Sequence, residues 1–290
     1  MTATTVTQQP TIDKPPAVAD YAARAAFYEL EYDDTADLPF LLAQVGPGVT
    51  SILEAPCGVG RVTLPLSATG RSITALDLEV AMIERLAERA RQMPNGALIE
   101  GVVADLRAVR LCRRFDLVMS PAEGVQLFLD DDDLDRAITT LARHVDRGGR
   151  LLIDCATFDP AAPDDPRDQP GYFSPGLADG TEILEWRRPF DAGGPAGGRG
   201  AQGTGRMTRW RTQWNTGPTI RFRFRYLVET ADAAVPAAFT STLELRRPDR
   251  ARIEAAAAAA GLVLHGLAGD RRGKPFADGA PRMVFDFRRG

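Results

Sequence analysis

The chain predicts an α/β fold: a doubly wound, Rossmann-like seven-stranded sheet carrying an inserted antiparallel β-meander lid. Three observations predict it. Short apolar runs alternate with helix-period segments from residue 50 to residue 155, the pattern of βαβ units and a parallel sheet. The first of these runs each close on an acid: SILE, SITALD and VVAD. Between residues 182 and 246 the pattern changes to long strands with turn chemistry between them, after which a helix and two strands return.

The elements follow in order. Residues 1–17 are polar and Pro/Thr-rich and are expected to be disordered. Residues 18–48 read as a helical lid, two helices broken near Asp33–Asp37 and ended by the GPG at 46–48. The strand at about 50–55 precedes a helix from Gly60 to Ser67. A second strand, 72–77, leads to a helix over 80–92, in which Met82, Ile83, Leu86 and Ala90 recur at helical spacing. Strands at 98–103 and 115–120 follow. A helix over Leu134–His144 closes at Gly148–Gly149, before the strand RLLIDC at 150–155. Residues 49–157 and 247–290 thus form the Rossmann-like domain, and 158–246 the inserted lid. The lid opens with a Pro/Gly/Asp-rich loop at 159–180, and the glycine-rich stretch 192–205 reads as a flexible hairpin tip. Helix 249–260, with Gly261 as its C′ residue, returns the chain to strands at about 262–268 and 282–288.

Composition narrows the function classes. A formal net charge of -4 argues against a nucleic-acid partner, whose recognition needs a surplus of Lys and Arg. Three cysteines, far apart and without a CxxC, argue against a disulfide framework or structural zinc and for a reducing cytoplasm. With two histidines in the chain, a His-rich metal site is not expected. The first residues lack the basic-then-apolar order of a signal peptide, and no apolar stretch is long enough to span a membrane. A soluble, cytoplasmic protein without membrane partners is expected.

The chemistry concentrates in LEAPCGVGR, where an acid closing a strand is followed by a turn of small residues. Such a turn brings bare backbone close to a ligand at the start of a helix. Glu54, Asp77 and Asp105 then end successive strands at one sheet edge. Acids so placed suit a ligand with an amine, a ribose and an adenine. A nicotinamide-dinucleotide fingerprint would need a third glycine where Thr63 stands.

These residues, with FYELEYDD, ALDLEVAM, FDLV, HVDRGGRLLID and the closing GD…PF…PRMVFDF, resemble the class I S-adenosylmethionine-dependent methyltransferases. The branch they resemble is the small-molecule one, near glycine and amino-sugar N-methyltransferases and antibiotic-tailoring enzymes of secondary metabolism. The resemblance runs from about Phe27 to the end. It implies S-adenosylmethionine as cofactor, held by Tyr28, Tyr32, Glu54, Pro56, Gly58, Gly60, Arg61, Asp77, Leu78, Met82, Asp105, Leu106 and Ser120. Glu54 would anchor the loop near the methionine amine, and Asp77 would accept from both ribose hydroxyls. Met82 would pack on the adenine, and Asp105 and the Leu106 N–H would read its edge. Ser120 would face the methionine end, and Tyr28 and Tyr32 would close over cofactor and substrate. Relatives usually carry Gly where Pro56 stands, so this turn does not require a left-handed residue there.

An activated sulfonium methyl leaves the protein to align a nucleophile and exclude water. Glu123, Tyr28 and His265 are the candidate polar groups for that alignment or for proton removal. For His265 the plainer reading is a packed strand histidine, and for His144 a favourable charge at a helix C-terminus. The run LDDDDLD at 129–135 reads as an N-cap and acidic first turn rather than a metal site. In the meander, Arg221, Arg223 and Arg225 alternate with Phe222, Phe224 and Tyr226, and Trp210 and Trp214 alternate with Arg211 and Gln213. Neighbouring strands could join these into one aromatic face, part core and part substrate wall, with the arginine face solvated or covered in a homodimer. The leading function is methyl transfer to an amine or hydroxyl of a small molecule. The alternatives are a non-catalytic S-adenosylmethionine-binding protein and an RNA or protein methyltransferase; against the latter, SPAE stands where such enzymes carry Asn/Asp-Pro-Pro-Tyr.

Overall fold

The computed structural model describes residues 6–8, 21–25, 27–32, 35–191, 204–230 and 237–290. Strand β1 (Val6–Gln8) is followed by the short helices α1 (Tyr21–Arg24), α2 (Tyr28–Glu31) and α3 (Leu38–Ala43). The main sheet contains β2 (Ser51–Glu54), β3 (Ser72–Asp77), β4 (Ile99–Val103), β5 (Phe115–Ser120) and β6 (Val145–Ala156), all parallel. Helices α4 (Thr63–Ser67), α5 (Val80–Ala90) and α6 (Asp131–Arg143) lie between them. Four long antiparallel strands follow in sequence: β7 (Glu182–Asp191), β8 (Thr204–Asn215), β9 (Thr219–Thr230) and β10 (Ala237–Arg246). Helix α7 (Arg250–Ala259) returns the chain to β11 (Val263–Ala268) and β12 (Arg282–Arg288), which finish the main sheet in antiparallel sense.

The order of the main sheet is β1-β4-β3-β2-β5-β6-β12-β11. The expected seven strands are therefore present, and β1 adds an eighth by pairing in parallel with Gly101–Val103. This corrects the expectation of a disordered tail at Val6–Gln8; the edge of β4 offers unpaired backbone groups to which a short β-prone segment can add. The rest of that tail, Asp33 and Asp34 of the expected helix break, and positions 192–203 of the hairpin tip lie outside the described residues.

The sheet is covered on both faces, which is why its strands read as continuous apolar runs. Leu53, Val118, Leu151 and Phe285 pack with α6 and α7, whereas Ile52, Leu117, Leu152 and Val284 pack with α3 and α4. That is the two-residue alternation of a strand. The acidic run caps helix α6 as expected, although the helix begins at Asp131, three residues before the expected Leu134, with Asp130 accepting from the N–H groups of Asp132 (2.8 Å) and Asp133 (3.3 Å). Helix α7 ends in a Schellman motif, Leu262 N–H bonding Ala257 O and Gly261 N–H bonding Ala258 O. The helix expected from Gly60 begins only at Thr63. Gly60 has φ +83°, outside helical space, and a Cβ there would lie 2.3 Å from Leu86 Cδ1.

Strand order reverses at β2 and β5, so the crevice at the carboxyl ends of these strands is the natural ligand position. The four-stranded sheet stands over it, with Phe222, Phe224 and Tyr226 fully buried. The joined aromatic face is not formed. Register sets Trp210 opposite Arg225 and Arg211 opposite Phe224, which puts both tryptophans on the arginine face. There the guanidinium of Arg225 lies 3.8 Å from the Trp210 ring centre and that of Arg223 5.4 Å from Trp214. The inner face instead carries buried Arg209, Arg211 and Gln213 beside the phenylalanines.

His144 is also corrected. It is buried, its Nδ1–H donating to Thr140 O (2.7 Å) and its Nε2 accepting from the Leu111 N–H (3.1 Å), a tautomer assigned from this network. Burial pushes its pKa below the ordinary 6.5, so it serves as a neutral link rather than as a helix-end charge. Its contribution to stability is present above pH 6.5 and is lost as pH falls below that value, because the unfolded chain takes up a proton that the folded state refuses. His144→Gln is expected to flatten the loss of stability between about pH 7 and about pH 5, measured by urea denaturation.

Candidate functional site

A cavity of about 280 Å³ opens at the carboxyl ends of β2 to β5 and is roofed by the N-terminal helices and the four-stranded sheet. It is lined by Tyr28, Tyr32, Glu54, Pro56, Gly58, Arg61, Asp77, Leu78, Met82, Asp105, Leu106 and Glu123. Those twelve predicted residues, drawn from the N-terminal helices and four strand ends, meet in one space.

The acids differ in how they are held. Glu54 is 1% exposed, and Oε2 accepts from Thr63 Oγ1 at 2.6 Å. Burial pushes its pKa up to about 8, against the opposing pull of that hydroxyl and of Arg61. Asp77 accepts the Gly58 N–H at 2.8 Å and the Glu79 N–H at 3.0 Å, one on each oxygen. Burial raises its pKa to about 6 although both N–H groups oppose the rise. Asp105 is held by Arg107, whose Nε reaches both carboxylate oxygens at 3.0 Å and whose Nη2 reaches Oδ2 at 2.7 Å. Arg61 is likewise engaged, forking onto Asp37 at 2.5 and 2.7 Å.

Three predicted residues stand apart from the cavity wall. Gly60 acts behind it, against Leu86. The hydroxyl of Ser120 is buried without a partner, behind Gly124, whose Cβ would lie 2.6 Å from both Ser120 Oγ and Pro56 Cδ. The wall formed by Pro56 and Gly124 therefore screens Ser120. His265 is exposed at the bulge of edge strand β11 between Leu264 and Gly266, and is neither a packed strand residue nor a group facing the site.

Glu123 is in the cavity wall, but its carboxylate is committed. Oε1 accepts from Arg282 Nη2 at 2.5 Å and Oε2 from the Tyr172 hydroxyl at 2.9 Å. Arg282 is 0% exposed and also donates to Asp154 Oδ1 (2.5 Å) and to the carbonyl of Asp168 (2.9 Å). Burial alone would raise the Asp154 pKa, but Arg271 and Arg282 hold it below the ordinary range. Asp37, Tyr172, Arg271 and Arg282 all contribute to this wall and were not singled out from sequence. An arginine opening the largely apolar strand segment RMVF was the available signal, since arginine is rarely fully buried unless paired.

A second buried cluster joins roof to wall. Glu31 Oε2 accepts from Arg24 Nη2 (2.6 Å), Tyr226 OH (2.7 Å) and Arg209 Nη1 (3.0 Å). Arg209 Nε also lies 2.6 Å from Glu185 Oε2, an ion contact in which the N–H direction misses the oxygen. The guanidinium groups of Arg188 and Arg209 each lie 4.9 Å from the centre of the Trp186 ring.

Comparison with known proteins fits this architecture. Residues 52–149 match the family described as methyltransferase domain. Over 134 residues the chain is 27% identical to the dTDP-3-amino-3,4,6-trideoxy-alpha-D-glucopyranose N,N-dimethyltransferase of Streptomyces venezuelae, covering 46% of this chain and 53% of that protein. The matched stretch thus spans about half the length of that relative. Among solved structures, an S-adenosylmethionine-dependent methyltransferase from Clostridium acetobutylicum superposes with a TM-score of 0.69 at 16% identity, covering 93% of this chain and 99% of the other. The sugar N-methyltransferase KedS8 from Streptoalloteichus sp gives 0.61 at 24% identity, covering 94% and 89%. At these identities the structures establish the fold, and the matched residues 52–149 contribute the strand ends that line the cavity. No helix among the described residues is long and apolar enough to cross a membrane.

Two outcomes test this description of the site. Glu54 contributes stability that is fully present below pH 4.5 and is lost as pH rises through about 8, so Glu54→Gln is expected to gain on wild type between about pH 5 and about pH 8. Arg282→Met is expected to cost about 3–5 kcal/mol, because it leaves Asp154 and Glu123 buried without their shared cation. Urea titrations at fixed pH read both.

Proposed function

We propose that this protein transfers the methyl group of S-adenosylmethionine to an amine nitrogen of a small molecule. The observation that carries this reading is the convergence of Glu54, Asp77 and Asp105, from adjacent strand ends, on one cavity with a glycine-bearing loop.

The residues present fit the cofactor. Glu54 is a buried carboxylate with one hydroxyl donor and no neutralising cation of its own, a position suited to the α-ammonium of the methionine moiety. Asp77 keeps acceptor capacity beyond its two backbone donors, as two ribose hydroxyls require. Met82, 1% exposed, and Leu106, 6% exposed, supply apolar walls for an adenine beside Asp105. Asp105 would accept the adenine amine with an oxygen it shares with Arg107, and Arg61 would act in concert with Asp37. Tyr28 and Tyr32, with ring centres 4.5 Å apart, would cover the cofactor. When bound, the sulfonium supplies an already activated methyl group. The protein's part is then to orient the acceptor and exclude water.

The substrate is proposed to be small because the four-stranded sheet and the N-terminal helices enclose the cavity. The relative from Streptomyces acts on a nucleotide-linked amino sugar. Arg188, Trp186 and Arg209 in the cavity wall offer stacking surface and positive charge suited to a ligand of that kind.

Calorimetric titration with S-adenosylhomocysteine, run beside NAD, tests the reading. Binding of S-adenosylhomocysteine alone is expected, with Asp77→Ala weakening it about tenfold or more. Binding of NAD instead, or equal affinity in wild type and Asp77→Ala, would overturn the cofactor assignment.

A further inference from the structure

We propose that Tyr172 positions the substrate amine: Glu123, clamped by Arg282, takes the phenol hydrogen and leaves the phenol oxygen facing the cavity as an N–H acceptor. The inference rests on the methyltransferase reading above and goes beyond it in naming the group that meets the nucleophile.

Tyr172 comes from the loop between β6 and β7, lines the cavity and is 8% exposed. Its partner is a carboxylate, which in ionised form only accepts, so the 2.9 Å contact fixes the phenol as donor to Glu123. A hydroxyl whose one hydrogen is committed retains lone pairs and can only accept from a further ligand. The ring is fixed as well, packing edge-on to Tyr32 (5.9 Å) and Phe222 (5.2 Å). Burial, reinforced by the neighbouring Glu123 charge, holds the Tyr172 pKa well above the ordinary phenol range, which keeps the hydrogen in place at neutral pH.

The backbone supporting Glu123 points the same way. Ala122 and Glu123 both have positive φ, +51° and +64°, in the turn that directly follows β5. Consecutive left-handed non-glycine residues are costly and persist where the surroundings over-determine them, often at functional sites. This turn sets the carboxylate between Arg282 and Tyr172. Arg282 in turn is anchored by Asp154 and the Asp168 carbonyl. Glu123 and Arg282 are therefore positioning residues that act through Tyr172. An amine that donates one N–H to the Tyr172 oxygen has its rotation restricted, which leaves its lone pair to be aimed at the methyl donor.

Sinefungin, which carries an amine-bearing carbon where S-adenosylmethionine carries its sulfonium methyl, tests this without a known substrate. Its affinity is compared with that of S-adenosylhomocysteine, which lacks the amine, by calorimetry on wild type, Tyr172→Phe and Glu123→Gln. Wild type is expected to prefer sinefungin. Tyr172→Phe, which keeps the ring and its packing, should lose about tenfold or more in sinefungin affinity and stay within about twofold for S-adenosylhomocysteine. Glu123→Gln, which frees the phenol hydrogen, should lower the same preference. An unchanged sinefungin preference in Tyr172→Phe, or an equal loss for both ligands, would overturn the role. Failure of wild type to bind S-adenosylhomocysteine would overturn the underlying cofactor reading and this role with it.

Discussion

The site depends on one buried cation. Arg282 opens β12, the strand that runs antiparallel beside β6, and its guanidinium has no access to solvent. A buried charge survives only if partners replace the water it has lost. Arg282 finds them in Asp154 on β6, Glu123 in the turn after β5 and the carbonyl of Asp168 in the following loop. One side chain thereby ties together segments that are far apart in sequence, and through Glu123 it also sets the Tyr172 hydroxyl. Asp154 extends the array by accepting from Arg271, which lies 3.8 Å from Asp37, the partner of Arg61. Alternating signs along this row keep every ion next to an opposite charge.

The same logic separates the cavity into two electrostatic regions. Arg61 and Arg107 form ion pairs with Asp37 and Asp105. Glu54 and Asp77 have only hydroxyl or backbone donors, so burial dominates and both hold their protons more tightly than ordinary carboxylates. That end of the cavity is prepared for a cation and for hydroxyl donors. The wall formed by Arg188, Arg209 and Trp186, where Arg209 donates to Glu31, is rich in guanidinium groups. Glu31 also fastens the N-terminal helices to β8 and β9, so the roof over the first region and the wall of the second share one carboxylate.

Much of this was legible in the chain. The strand-ending acids, the glycine-bearing loop and the helix period of α5 depend on neighbours within a few residues, where local geometry is nearly sufficient. The Asp130 cap and the Gly261 stop are local in the same way. Readings that required knowledge of a partner strand or an end state failed. Trp210 and Trp214 alternate correctly along β8, but which face they share with β9 depends on register, and register set them against arginines. His265 lies in an apolar run that becomes an exposed edge with a bulge, and His144 lies at a helix end that the fold then buries.

By itself the sequence determined the α/β class, the order of the elements, the inserted meander and the acids that face the crevice, because periodicity and strand-end position are properties of short segments. Tertiary structure alone decided which of those acids are spoken for. Asp105 and Glu123 are paired with arginines, whereas Glu54 and Asp77 are left to burial and neutral donors. That division is set by which cations the folded chain brings within hydrogen-bonding distance of each carboxylate. Arg282, separated from Glu123 by most of the second half of the chain, can be assigned to it only once β12 has paired with β6.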